Sequence, residues 1–483
     1  MPWIATSFGT ARPSSSTFLL HVGLGEGSAS GTPVLLIPGA GDNGPRAYST
    51  LAPALDLAGR PVYALTFAHP HGDVFLQAEV VADALAAIEA RTGAPQVDVV
   101  AHSKGGIAAA VYAASGEADA LGSRYGAHGT HYRGDIRKLV LAGVPMGGID
   151  TSYRWSGLSF TGLDADTAVS PPAWSTYYPS GSGAWWLAVD LSDQDFLSDG
   201  RDLFPGQRQV LARQPAPLPG SRPWLGLYAA QQDWYTTYEG GFGFVSWSDG
   251  IDAAIADGGD LVERLASAGI DPDIEVYQLV GRSPLLVNGD EAMIAQFDVL
   301  GALVDYDGLA HDLRDHGIDV HPDAAELQGL EDGKLVLGEI SADSDGVVFA
   351  TSAGDDRAIT ARGGRVVERY DADIAHLDLL YASPLAAQQL YAAADAGGPG
   401  DAWLRSLGAR YEQADSVGWI VGALADDTAE RSGGGSGDDR DDAARDLGEK
   451  GALAPGLGGC DTGGAPASGL ALLLGAALLR RRR

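Results

Sequence analysis

Residues Val97 to Gly106 read Val-Asp-Val-Val-Ala-His-Ser-Lys-Gly-Gly, an apolar run ending in a serine flanked by small residues. A strand that turns at once into a helix, with a serine at the apex, forces that serine into a strained backbone conformation. Its neighbours two positions away on either side must therefore be small, and Ala101 and Gly105 meet that need. Ile107-Ala-Ala-Ala-Val-Tyr-Ala-Ala then forecasts a helix whose N-terminal amides face back toward Ser103 and favour negative charge developing there. Ala101 stands where the G-x-S-x-G pattern has its first glycine, so an ordinary strand–turn–helix with a surface serine is the competing reading.

Outward from this stretch, strand and helix alternate as in a mostly parallel, doubly wound sheet with crossover helices. Phe18 to Val22, Pro33 to Gly39, Pro61 to Phe67 and Lys138 to Pro145 read as strands, and Pro45 to Leu57 includes a helix. Val74 to Thr92 is predicted as a helix: Phe75, Val80, Val81, Ala84, Leu85 and Ile88 recur at helical spacing, and Gly93 is the stop signal. Residues 1–148 thus form the first part of a core. Over 149–248 the periodicity stops and Trp155, Trp174, Trp185, Trp186, Trp224, Trp234 and Trp247 accumulate, which suits a cap or lid over a site, or else a small satellite core. Over 249–424 the core resumes, with Asp249 to Gly269 helical, Asp273 to Gly281 a strand, and a terminal helix within Gly397 to Gly422. Residues 425–459, rich in Gly, Asp and Arg, read as a disordered stalk before a tail at 460–483.

A chain of 483 residues, 45% of them hydrophobic, can bury a sizeable core and is not a disordered protein. The net charge of −32 excludes a nucleic-acid partner, because phosphate binding needs basic clusters and none precedes the last residues. The acidity serves solubility or suits a saline or calcium-rich exterior; no EF-hand spacing is present, so no metal site is expected.

The single cysteine, Cys460, rules out an intramolecular disulfide framework. Behind it, Gly463 to Leu479 carries no charge and is just long enough to enter a bilayer, with Arg480 to Arg483 holding the end on the cytoplasmic side. The tail resembles myxobacterial-type sorting tails. That resemblance implies a cell-envelope or extracellular location, with cleavage by a sorting protease or lipid attachment near Cys460; a plain tail anchor is the alternative. Met1 to Gly25 shows no secretory signal, and the expectation is a true start upstream of this Met. The other option is a protein that stays inside.

A serine hydroxyl is a poor nucleophile at neutral pH. It needs an imidazole to take its proton and a carboxylate to orient that imidazole. The doubly wound pattern resembles that of an α/β-hydrolase, and that resemblance implies acid before histidine, both after the serine. His376, the last histidine, follows the strand-like Gly364 to Tyr370 and is the candidate base. His311, His316 and His321 lie in an acidic, polar stretch, His69 and His71 follow an early strand, and His102 reads as lining the elbow. Asp345 is the candidate acid, expected to reach the carboxyl edge of the sheet on the strand Lys334 to Ile340; Asp343 is the runner-up. Asp290, Asp305 and Asp307 lack so clear a strand before them. An oxyanion formed by attack needs two backbone amides, for which Lys104 and Ala40 are the candidates, with Gly39 and Gly41 allowing close approach.

Ile37-Pro-Gly-Ala-Gly, Val99-Val-Ala-His-Ser-Lys-Gly-Gly and Ala375-His-Leu-Asp-Leu-Leu-Tyr-Ala-Ser resemble the oxyanion loop, nucleophile elbow and histidine loop of bacterial class 2 lipases of the α/β-hydrolase superfamily. Asp345-Gly-Val-Val is similar to the acid motif of lecithin:cholesterol acyltransferase-like lipases. The resemblance spans about 18–150 and 270–395 and leaves out the aromatic insertion. It implies an α/β-hydrolase fold and cofactor-free hydrolysis of carboxylic esters, with lipids as substrates, through an acyl-enzyme. Lys104 stands where the pattern has Met or Gln, and Pro38 where it has His; both needed N–H groups remain, and Lys104 is expected to alter the electrostatics beside the nucleophile. An acyltransferase with the same triad, a peptidase or amidase, and a non-catalytic surface binding protein with an inert Ser103 stay open.

Overall fold

A computed structural model describes residues 7–10, 16–23, 29–40, 42–70, 72–114, 131–151, 205–215, 251–283, 285–288, 334–337, 343–396 and 401–425. The strands are β1 (Phe18–Val22), β2 (Val34–Ile37), β3 (Val62–Phe67), β4 (Val97–His102), β5 (Ile136–Ala142), β6 (Glu275–Gly281), β7 (Leu285–Asn288), β8 (Lys334–Leu337) and β9 (Val366–Ala372). The helices are α1 (Gly44–Ala47), α2 (Leu51–Leu57), α3 (Val74–Thr92), α4 (Lys104–Ala114), α5 (Pro205–Gln209) and α6 (Ile251–Asp257). They continue with α7 (Leu261–Ala268), α8 (Ala350–Ala353), α9 (Arg357–Thr360), α10 (Pro384–Asp395), α11 (Asp401–Ala414) and α12 (Ser416–Ala423).

Seven strands form one sheet in the order β1-β3-β2-β4-β5-β6-β9. β1 runs antiparallel to β3, and every other neighbouring pair is parallel. Successive side chains on a strand point to opposite faces, and both faces here are covered. Leu35, Ile37, Val97, Val99 and Ala101 join the core beneath α3 and α4. Val34, Leu36 and Val100 join the core beneath α2 and α12. The chain runs outward from β2 to β3 and then returns past β2 to β4. The loops leaving β2 and β4 therefore meet at the carboxyl edge, where the winding direction reverses, the position at which open α/β sheets bind ligands. This is an α/β-hydrolase fold.

The predicted helix at Val74–Thr92 forms with the predicted bounds: Gly93, the expected stop, turns left-handed at φ 73°, and Asp73, not singled out in the sequence, caps the start, its Oδ1 accepting the Phe75 and Leu76 N–H groups at 2.8 and 3.2 Å. The stretch read as helical at Asp249 to Gly269 is broken, and the region expected to include a terminal helix holds two. Gly259 and Asp260, both at positive φ, part α6 from α7, and Asp415 at φ 35° parts α11 from α12 and caps the latter through the Gly418 N–H. Within 149–248, the described pieces pack on the core, Ile149 bridging to Leu211. The tryptophans of that region, the 426–483 stretch and Cys460 lie outside the described residues. Among the described residues no helix is long and apolar enough to cross a membrane.

The opposite end of β4 is fixed by charge. Asp98 is fully buried and pairs with Arg60 and with Arg137, whose Nε and Nη2 donate at 2.8 and 2.6 Å. Arg60 also donates to the Leu424 carbonyl, and Lys138 Nζ donates to the Ala423 and Ala425 carbonyls at 3.0 and 2.8 Å. Cations at a helix C-terminus satisfy its orphan carbonyls and oppose its dipole, so this cluster docks α12 against the sheet. Replacing Asp98 with alanine strands the buried Arg60 guanidinium without its carboxylate. The expected cost is about 3–5 kcal/mol, read from urea unfolding midpoints of the Asp98→Ala variant, and a loss below 1 kcal/mol would contradict the assignment.

Candidate active site

β4 ends at His102 and α4 begins at Lys104, leaving Ser103 alone at the turn with φ 52°. A side-chain-bearing residue held in that region costs about 1–3 kcal/mol and persists only where its surroundings over-determine it. Here the Ser103 N–H donates to the Ala142 carbonyl of β5 at 3.0 Å, and the Ser103 carbonyl accepts the Gly106 N–H at 2.9 Å. Gly105 lies against the Pro38 carbonyl, where a side chain would collide.

His376 follows β9 and Asp345 lies beside the end of β6. The His376 Nδ1–H donates to Asp345 Oδ2 at 2.7 Å, and the His376 backbone N–H donates to the Asp345 carbonyl at 3.0 Å. Asp345 Oδ1 accepts the Val347 and Val348 N–H groups at 3.0 and 2.7 Å. With Nδ1 carrying its proton toward the carboxylate, Nε2 is left as the basic nitrogen. Gly143, just past β5 with φ 56°, is the floor of this pair: a Cβ there would lie 3.1 Å from His376 Nδ1 and 3.2 Å from Asp345 Oδ2.

The route of Asp345 to this place differs from the expectation. β8 pairs with β7 in a separate antiparallel sheet and does not deliver the acid to the main sheet. Asp345 packs instead on Gly281, the last residue of β6, where a Cβ would approach its own at 2.6 Å. Asp343 is turned away and pairs with Arg282. Asp290, Asp305, Asp307, His71, His311, His316 and His321 lie outside the described residues.

The loop after β2 closes on the elbow, a Cβ on Gly39 falling 2.8 Å from Ser103 Cβ. Its start is fixed by the Tyr48 hydroxyl, which donates to the Ile37 carbonyl at 2.5 Å. Ala40 follows Gly39 in this loop, while Gly41 lies outside the described residues. Among the described residues no group of three or more His, Cys, Asp or Glu is arranged to hold a metal ion.

Two side chains carry more than their sequence suggested. His102, read as a lining residue, is buried with its Nε2–H donating to the His376 carbonyl at 2.9 Å and the two rings 4.5 Å apart. Burial and then the neighbouring His376 hold its pKa well below the usual imidazole range, so it stays neutral. It thereby joins the residue before Ser103 to the loop that carries His376. The Lys104 side chain is buried and donates from Nζ to the Gly72 carbonyl at 2.8 Å and to Gln77 Oε1. Burial pushes this ammonium down to about 7, with Asp73 pulling the other way. Gln77 was not singled out in the sequence; a glutamine between Phe75 and Ala78 on the apolar face of a helix is the signal that marks it.

Two measurements check these assignments. A Ser103→Gly variant removes the Cβ from a left-handed position and is expected to gain about 0.5–1 kcal/mol of stability; a lower melting temperature would sink the strain argument. For Lys104, the folded value of about 7 lies below the ordinary 10.5. Between those values the unfolded chain binds a proton that the folded chain does not, so this residue's contribution to stability rises with pH. Below 7 the full cost of burying the ammonium is present. The melting temperature of Lys104→Met relative to wild type should therefore shift in the variant's favour as pH is lowered from about 10 to 6. A pH-independent difference would contradict it.

Compared by sequence, the chain matches no protein-family model and no curated protein. Among solved structures it is similar to a lipase of Bacillus licheniformis in mature form, at 11% identity and TM-score 0.31, over 76% of this chain and 94% of that one. It is also similar to the lin2722 product of Listeria innocua, at 13% identity and TM-score 0.30, over 75% and 93% of the two chains. A thermostable carboxyl esterase of Bacillus coagulans in complex with glycerol is similar at 15% identity and TM-score 0.25, over 55% and 74% of the two chains.

Proposed function

We propose that this chain is a serine hydrolase that cleaves carboxylic esters, with lipids as the substrate class. The observation that carries the proposal is a serine held left-handed between strand and helix, one residue from His102, which bonds the loop of a carboxylate-oriented imidazole. Ser103 Oγ attacks the ester carbonyl while His376 Nε2 takes its proton. The resulting imidazolium faces Asp345, whose carboxylate is already fixed by two backbone N–H groups. The Lys104 N–H, at the start of α4 where no acceptor exists within the helix, and the Ala40 N–H hold the oxyanion. Collapse expels the alcohol, protonated by His376, and leaves an acyl-Ser103. Water, activated by the same imidazole, releases the acid.

The lipid assignment rests on the aromatic-rich stretch of 149–248, which suits an apolar acyl chain. Cys460 and the apolar segment and arginine cluster behind it make the cell envelope the proposed location.

Turnover of p-nitrophenyl esters of increasing chain length by the full chain tests this, with Ser103→Ala as the blank. The expected result is turnover that rises with chain length and falls by about 10⁴-fold or more without Ser103, and by about 10⁴-fold in Asp345→Asn. Equal rates in wild type and Ser103→Ala would overturn the proposal, and a maximum at short chains would replace lipids by small esters.

A further inference from the structure

Any residue but proline after the nucleophile offers a backbone N–H, yet this chain places there a lysine that is 2% exposed. Burying an ammonium is costly unless its donors are satisfied. A methionine could occupy the same buried position without that cost, so what distinguishes the lysine is what its head group holds. Nζ reaches the Gly72 carbonyl and Gln77 Oε1, and Gln77 Nε2 is in turn held by the His69 carbonyl at 2.9 Å. The ammonium therefore ties the first residue of α4 to the turn before α3 and to the first turns of α3.

α5 closes over the same point. A Cβ on Gly206 would overlap Lys104 Cε and Nζ and the Gly72 carbonyl. Gln209 clasps the start of α3 with both ends of its amide: Oε1 accepts the Val74 N–H at 2.8 Å, and Nε2 donates to Asp73 Oδ2. Lys104, the Gly72–Gln77 segment and α5 thus form one buried polar knot. α5 belongs to the 149–248 stretch, so the seat of that stretch on the core and the elbow share one side chain.

We infer that Lys104 is a positioning residue for ester cleavage: its buried amino group ties the elbow to Gly72 and Gln77 beneath α5, keeping its own backbone N–H aimed at the oxyanion. This rests on the hydrolase reading above. Asp73 and His69 are the titratable groups of the surrounding turn, and the downward pull of burial on Lys104 accords with a head group held by carbonyl oxygens rather than by an ion pair.

The test separates the tetrahedral state from the ground state. For the full chain, kcat and KM on p-nitrophenyl butyrate are measured together with the Ki of butylboronic acid, which forms a tetrahedral adduct on a serine oxygen. In Lys104→Met, kcat is expected to fall and the boronate Ki to rise by the same factor, about 10- to 100-fold, a part of what losing an oxyanion donor costs. KM should stay within about threefold. Gln77→Leu, which keeps the lysine, should move the same two quantities, and the double variant should be no worse than the worse single one because both cut one tie. An unchanged boronate Ki, a Ki and KM that rise together, or additive effects in the double variant would each overturn the inference. If Lys104→Met does not fold, Gln77→Leu decides alone. Absence of Ser103-dependent turnover and of boronate binding in the wild type would instead bring down the hydrolase reading itself.

Discussion

The left-handed backbone of Ser103 is the constraint on which the arrangement of the carboxyl edge depends. Nothing local favours it: the preceding residue ends a strand, the following one starts a helix, and a φ of 52° at a residue with a Cβ is uphill. What offsets it is tertiary. β4 must lie in register with β5 for the Ser103 N–H to find the Ala142 carbonyl, and α4 must pack along its whole buried length to hold the helix start in place. The elbow is therefore a product of the completed central sheet, and a loss of sheet register would release the strain before it unfolded the strands.

Two buried aspartates show how the same residue type is set to different ends. Asp98, at the start of β4, is locked between two guanidinium groups, a fixed arrangement that docks Arg60 and, through it, the end of α12. Asp345, at the other edge, is buried just as deeply but meets neutral amide donors and one imidazole. In the proposed mechanism its negative charge is met by the imidazolium that His376 becomes on taking the serine's proton. An arginine beside Asp345 would make the site more stable at rest and a poorer partner for an imidazolium.

Much of this was legible locally. The strand–serine–helix elbow and the C-terminal stop of α3 at Gly93 are written in short-range patterns of small, turn-forming and apolar residues. Long-range packing was not. The strand next before Asp345 in sequence pairs elsewhere, and the strand that seats the acid, β6, is far earlier in the chain; only the close approach at Gly281 reveals it. The breaks at Asp260 and Asp415 depend on positive-φ residues that hydrophobic periodicity does not register. The direction of Lys104 depends on α5, an element the sequence hid inside an aperiodic aromatic stretch.

Ser103 and Lys104, consecutive residues, each oppose stability by a different route, one through backbone strain and the other through desolvation of a charge. In a well-folded chain local choices agree with the global structure, and conflicts concentrate where function requires them. A thioether at 104 could slide within the same buried position, because it asks nothing directional of its neighbours. An amino head group seeks directed acceptors, and the Gly72 carbonyl and Gln77 Oε1 fix the far end of the side chain to one place. On the proposed hydrolase reading, stability is given up at this turn for the orientation of the Ser103 hydroxyl and of the Lys104 amide, and the rigid sheet behind them supplies the margin.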